Sequence, residues 1–454
     1  LGALSGTNIV IGMIVGSGIF STPGLVWQQV GSPGMALIMW LVGGLLSYLG
    51  ALCYVELGTM LPKSGGEQAY LSYCYKRSRQ FFAFLFCCCI QPSGGAANSI
   101  VFGGYVLYAA YGSRDTLPQG MVKDHYEWIM RGIGLLSITI ITLVCIFSTK
   151  WSLRLQNAVT SIKLVVLLVV AVTGVVVLAG GTPHVPSAGN WERMFAGTKT
   201  DMSTYASAMF NVFWAYGGWN TLNYCAGELK NPRRDLPIAT FGGITIVSLL
   251  YLLANIAYIA VVPEEMAFSS REILAGNFTN LVFGLYVGRV VLPMLIALST
   301  FGSVCAALFC ASRVVHVAAQ EGYFPFARVF GRIHPRWGTP VNALLFNYAA
   351  IVLLMFASPP GVVFDFLVNM AGYPMSIFCG LTVGGLLLLR RTEPRKERPF
   401  RVWWPVAAFF LIFSVFLAVF PFVPPEEQDL TTPYYLPALL GLFFMLAGIP
   451  MWHI

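Results

Sequence analysis

Charge is what this chain has least of. Only 10% of its 454 residues are charged, against 57% hydrophobic, where a soluble protein carries about a quarter charged residues. The deficit runs the whole length, which excludes a soluble globular protein and a protein held by one anchor. Alternating ten-residue apolar segments are missing, which excludes an outer-membrane barrel. Cysteine is missing from every outer loop: all ten lie in apolar stretches or on the cytoplasmic side. No extracellular disulfide can then form. No Cys/His spacing fits zinc and no nucleophile–base set appears, so neither cofactor, metal nor enzyme chemistry is implied. A signal peptide is also lacking, because the first apolar stretch is too long and has no charged n-region. The start at Leu1 implies a preceding cytosolic tail.

What is present is apolar sequence. Twelve stretches stand near 3–29, 34–61, 81–111, 129–148, 154–180, 203–228, 237–262, 290–319, 341–357, 361–389, 402–422 and 433–452. A bilayer core of roughly 30 Å takes about 20 apolar residues as helix, so twelve transmembrane helices are predicted. With the N-terminus in the cytoplasm, 19 of the 27 Lys and Arg residues fall in cytoplasmic loops and seven in outer loops. That bias fixes the orientation and places both termini in the cytoplasm. The net charge of +8 is therefore a topology signal with some attraction to anionic lipid, and no nucleic-acid partner follows from it. The sequon Asn277-Phe278-Thr279 falls in an outer loop and is a weak glycosylation candidate.

Two glycine clusters interrupt spans. The first span holds Ile14-Val15-Gly16-Ser17-Gly18-Ile19, and the sixth holds Trp214-Ala215-Tyr216-Gly217-Gly218-Trp219-Asn220. Glycine inside a helix costs about 1 kcal/mol relative to alanine, and freed backbone groups in lipid cost more unless satisfied. A lone pair of glycines would read as close helix packing. Two clusters five spans apart occupy equivalent places in two halves of opposite orientation, which is the pattern of an inverted repeat with a midplane site. One transporter domain over 1–454 is predicted, with repeats at 1–180 and 203–390 and two more helices over 402–454. The N–H groups of Ser17, Gly18 and Ile19 would open a half-helix and suit a carboxylate. Carbonyls near Ile14, Val15, Trp214 and Gly217 would suit an ammonium. The ligand is then a small zwitterion, and glycine lets it approach the backbone.

Two ionisable residues lie clearly inside the predicted spans, Glu56 and Lys163. Glu56 reads as a structural hydrogen-bonding group or as a proton or gate group. Lys163 follows Arg154 by nine residues, roughly 13 Å into the membrane at 1.5 Å per residue. It either snorkels to the inner surface or stays inside as a coupling cation where another transporter would bind a metal. No carboxylate is expected near the breaks, which favours neutral substrates. Trp214, immediately before the second break, is the candidate cover over the substrate.

These motifs, with Tyr54-Val55-Glu56-Leu57-Gly58, Pro62-Lys63-Ser64-Gly65-Gly66-Glu67, Phe301-Gly302-Ser303, Ser312-Arg313, Ile333-His334-Pro335 and Glu397-Arg398-Pro399, make the chain resemble the amino acid–polyamine–organocation transporters. Within them it resembles the L-type amino-acid transporter group, and most of all its fungal branch, which includes methionine permeases. The resemblance implies an all-α membrane protein with a LeuT-type five-plus-five inverted repeat, helices 1 and 6 broken, two C-terminal helices and alternating access. Carried over by position, it puts the carboxylate motif on Ser17 and Gly18 and amine contacts on the backbones of Ile14, Trp214 and Gly217. It makes Trp214 the gate, sets Asn220 and Ser303 beside the pocket with Cys305–Ala307 on its wall, and links Lys163 to sodium-independent transport. Animal members join a heavy chain through an outer-loop cysteine after the third span; residues 112–128 contain none, so that partner is not expected. The expected function is transport of neutral L-amino acids, large and apolar, methionine among the candidates, in the plasma membrane. An amine or polyamine transporter and a transporter-like sensor are the alternatives.

Overall fold

The computed structural model describes residues 1–112, 120, 124–181, 185, 187–269, 274–284, 286–358, 363–419, 422–423 and 436–447. Three of the seven outer-loop charges, Arg114, Lys123 and Arg271, lie outside the described residues, as do the ends of the last apolar stretch. The described chain is helical, with a helix in each of the twelve apolar stretches. These are α1 (Ala3–Ile14) and α2 (Gly18–Val30), α3 (Pro33–Met60), α5 (Arg79–Tyr111), α6 (Tyr126–Phe147), α7 (Thr149–Leu178), α8 (Met202–Tyr216), α9 (Pro232–Val261), α10 (Leu292–Gln320), α11 (Val341–Ala357), α12 (Val363–Thr392), α13 (Trp404–Val419) and α14 (Leu436–Ala447). A short helix, α4 (Glu67–Cys74), lies between α3 and α5. Among the described residues, seven helices are long and apolar enough to cross a membrane, and α1 with α2, bent by 46°, makes an eighth if the pair is one span.

Two helices carry a π turn near their start, Phe86–Ile90 within α5 and Val287–Val291 leading into α10. Each turn is followed at the second residue by proline, Pro92 and Pro293. Proline has no N–H for the usual i→i−4 bond, and widening the turn re-pairs the carbonyls it leaves.

The C-terminal end of α3 is tied to the end of α12 and the chain after it. Glu56 is fully buried. Its carboxylate accepts both Arg390 Nε (3.0 Å) and Arg390 Nη2, and also the backbone N–H of Val402 (2.8 Å), with Arg398 Nε 3.6 Å away. Of the two readings of Glu56, this geometry supports the structural one. The sequon does not fare well: it lies on the helix Leu274–Phe283, with Phe278 and Thr279 buried and the Thr279 hydroxyl donating to Ala275 and Gly276 carbonyls. A glycosylation site needs an exposed loop, and this segment supplies none.

Removing one partner of a buried ion pair typically costs about 3–5 kcal/mol. Glu56→Ala should therefore lower the melting temperature of the detergent-solubilised protein markedly. An unchanged melting temperature would show that the cluster does not hold α3 to α12.

Candidate functional site

The two glycine clusters are breaks, and they touch. In the first, α1 ends at Ile14, Val15 leaves the helical region (φ −75°, ψ 84°), and α2 starts at Gly18. In the second, α8 ends at Tyr216, Gly217–Asn220 form a turn, and Thr221–Glu228 continue as a 3₁₀ segment kinked at Cys225. The sixth apolar stretch is thus only half α-helix. A Cβ on Gly18 would collide with the Cα of Ala215 and stand 2.8 Å from its Cβ. A Cβ on Gly218, at φ 104°, would stand 2.8 Å from Met13 Cβ. Each break needs a glycine where it meets the other.

The polarity at the first break follows from the helix start. Phe20 makes the earliest intrahelical bond of α2, to Ser17 O (3.0 Å), and Ser21 follows to the same oxygen (3.1 Å). The N–H groups of Ser17, Gly18 and Ile19 precede it and have no partner within the helix. Ser17 Oγ is buried and makes no hydrogen bond; it does not cap α2. A fully buried donor set of this kind at a helix N-terminus suits an anion.

The carbonyl side departs from expectation. The carbonyls of Ile14 and Val15 were read as free for an ammonium, but protein side chains already donate to both. Tyr251 on α9, fully buried, places its hydroxyl 2.9 Å from Ile14 O and 3.0 Å from Ala215 O, one carbonyl from each break. Ser299 Oγ lies 3.4 Å from Val15 O and 3.3 Å from Gly16 O. Ser303 Oγ reaches Gly12 O (3.1 Å) and Val15 O (3.4 Å). A carbonyl oxygen has two lone pairs, so a ligand would share these acceptors with Tyr251 and the two serines. In the second break, Gly217 N–H closes on Trp214 O (3.1 Å).

Lys163 does not snorkel. It is 2% exposed, and its ammonium donates to Gly12 O and Ser303 Oγ, each at 2.8 Å. It thereby ties α7 to α1 and α10 just below the first break. Ser303 therefore serves the lysine and the carbonyls of α1. Trp214 is half-buried and packs against the apolar cluster that includes Ala97, Ile138 and Val304. Asn220 turns its amide nitrogen toward Glu67 Oε1 and Tyr224 OH (2.8 Å). A carboxylate thus stands one side chain behind the second break, where the sequence was read as holding none. Tyr251 and Glu67 were both missed: one is a tyrosine in an apolar run, the other sits in a hydrophilic loop.

With the breaks and their polarity in place, comparison with known proteins decides the class. The sequence model of the family described as Amino acid permease matches residues 1–444. The chain belongs to this family. It is 30% identical over 454 residues to the high-affinity methionine permease of Saccharomyces cerevisiae, covering 98% of this chain and 77% of that protein. It is 33% identical over 458 residues to the large neutral amino acids transporter small subunit 2 of Mus musculus, covering 100% and 80%. With the b(0,+)-type amino acid transporter 1 of Mus musculus it shares 34% over 453 residues, covering 99% and 86%. These relatives are permeases and transporters, so this permease is not an enzyme, and the resemblance read from its motifs holds.

The contact between breaks generates a graded prediction. A Cβ on Gly16 has only Ser303 Oγ nearby, at 3.5 Å. Gly16→Ala should retain substrate binding, whereas Gly18→Ala and Gly218→Ala force the breaks apart at about 1–3 kcal/mol of overpacking and should weaken it severalfold or more. Ligand-induced thermal shifts of the three variants check this; equal effects would contradict the contact.

Proposed function

We propose that this permease moves neutral L-amino acids, large and apolar, methionine among them, by alternating access and without sodium. The observation that carries the reading is the touching pair of breaks. One side offers unpaired amides and the buried Ser17 hydroxyl; the other offers carbonyls. An α-carboxylate would lie on Ser17, Gly18 and Ile19, and an α-ammonium against the backbones of Ile14, Val15, Trp214, Ala215 and Gly217, with Gly16 and Gly218 leaving room. Trp214 would close over the ligand, with Asn220 and Ser303 supporting the two breaks. The names of the yeast and mouse relatives, a methionine permease and a large neutral amino acids transporter, agree with this class.

The arrangement is that of a LeuT-type five-plus-five inverted repeat, with α13 and α14 as the two further helices. The breaks in the first and sixth spans support it, and so do the two π turns, each at the start of the third span of its half. The Lys163 amino group is held between Gly12 O and Ser303 Oγ beside the first break, which supports sodium independence. The chain works without a disulfide-linked heavy chain, a reading supported by the cysteine-less loop 112–128. The plasma membrane, with both termini cytoplasmic, is the proposed location.

Purified protein in liposomes should take up labelled methionine or leucine saturably, and replacing sodium with choline should leave the rate unchanged. Absence of saturable uptake for every neutral amino acid would sink the reading. Binding without turnover would favour a sensor, and binding of putrescine would favour an amine transporter.

A further inference from the structure

The segment Pro62–Glu67 enters the protein abruptly. Lys63 is exposed and pairs with Glu321 (2.9 Å), whereas Glu67, four residues on, is fully buried. Two left-handed glycines make the turn, Gly65 at φ 132° and Gly66 at φ 55°, and Gly66 lies directly against the ring of Tyr224. Gly65 N–H donates to Tyr224 O (3.2 Å), and Ser64 Oγ accepts from Gly227 N–H (3.1 Å). The loop is thus stitched to the chain that follows the second break.

Glu67 and Glu56 are equally buried carboxyls with opposite surroundings. Two guanidinium groups and an amide answer Glu56. Glu67 has no ion-pair partner among the described residues; Asn220 Nδ2 serves Oε1, and Oε2 is buried without a hydrogen bond. The titratable groups that bear on it are Tyr54 of α3, Tyr70 of its own helix, Tyr224 beyond the second break and Cys379 of α12. All four are uncharged in their ordinary state near neutral pH. The nearby cytoplasmic cations are engaged elsewhere, Lys63 with Glu321 and Arg313 with Glu228 (2.8 Å). A lone carboxylate in such a place is costly, and burial pushes its pKa up to about 7 despite the opposing hydrogen bonds of its own backbone, Asn220, Tyr54 and Tyr224.

We propose that Glu67 is a proton-binding site that couples amino-acid movement to a pH gradient through Asn220. This rests on the transport reading above. The ionised carboxylate holds the Asn220 amide with a charge-assisted bond. A proton from the aqueous phase neutralises it, turns one oxygen into a donor and weakens that hold. Asn220 closes the Gly217–Asn220 turn, so protonation bears directly on the backbone that faces the ligand. One proton is taken up on one side and released on the other in each cycle, and no covalent bond is made or broken.

The test uses the full chain in liposomes containing a pH-sensitive dye. Substrate added to the wild type should drive proton entry, and an inward acid gradient should accelerate uptake. Glu67→Gln should keep amino-acid exchange across the membrane but lose proton entry at least tenfold, and Glu67→Asp should restore it. An apolar carbodiimide, which reacts with protonated buried carboxyls, should label wild-type Glu67 several times more at about pH 6 than at about pH 8, on either side of about 7, with Glu56 unlabelled. Exchange without substrate-driven proton entry in the wild type, full proton entry in Glu67→Gln, or labelling of Glu67 independent of pH overturns the proposal. Absence of any amino-acid exchange in the wild type is a different failure, that of the transport reading itself.

Discussion

Backbone polar groups inside a bilayer must find partners within the protein, and the rest of this structure is arranged around two places where helices stop supplying them. At Val15–Ser17 and Gly217–Asn220 the intrahelical ladder is interrupted. The freed carbonyls draw in side chains from three other helices: Tyr251 from α9, Ser299 and Ser303 from α10, and Lys163 from α7 by way of Gly12 O. The freed amides at Ser17–Ile19 draw in none. That asymmetry gives the site its polarity. The protein already donates to the freed acceptors and leaves the freed donors unpaired.

The same constraint accounts for the cross-links around the breaks. Tyr251 has one hydroxyl proton and faces two carbonyls, one from each break. It spaces the two unwound strands while leaving lone pairs open. Lys163 meets a carbonyl and a hydroxyl instead of a carboxylate. Between them these two residues brace the broken first span, which an unbroken helix would not require.

Much of this was legible in the sequence. The twelve apolar stretches each contain helix, because long apolar runs in lipid have little choice of structure. Gly16–Gly18 and Gly217–Gly218 marked the breaks, because glycine clusters at span centres run against helix propensity. Tyr251 was not legible: among apolar residues its ring reads as packing, and only the fold brings the hydroxyl to Ile14 and Ala215. Glu67 was hidden for the opposite reason. A Lys-Ser-Gly-Gly-Glu run reads as a solvated loop, and burial of its last residue follows from the turn at Gly65–Gly66 and the Tyr224 ring. Pro92 and Pro293 did carry a signal. Each stands two residues past a π turn, and the missing N–H forces the wide turn; the pairing went unread because proline near a helix start is ordinary.

The central claim is that the two breaks together recognise both ends of a zwitterion. Binding to the purified protein, compared for leucine, its methyl ester and its deaminated analogue, tests this most directly. Leucine alone should stabilise the protein, because the ester cannot place an anion on Ser17–Ile19 and the deaminated acid cannot meet the carbonyls of Ile14 and Ala215. Equal binding of either analogue would contradict a site built from both breaks.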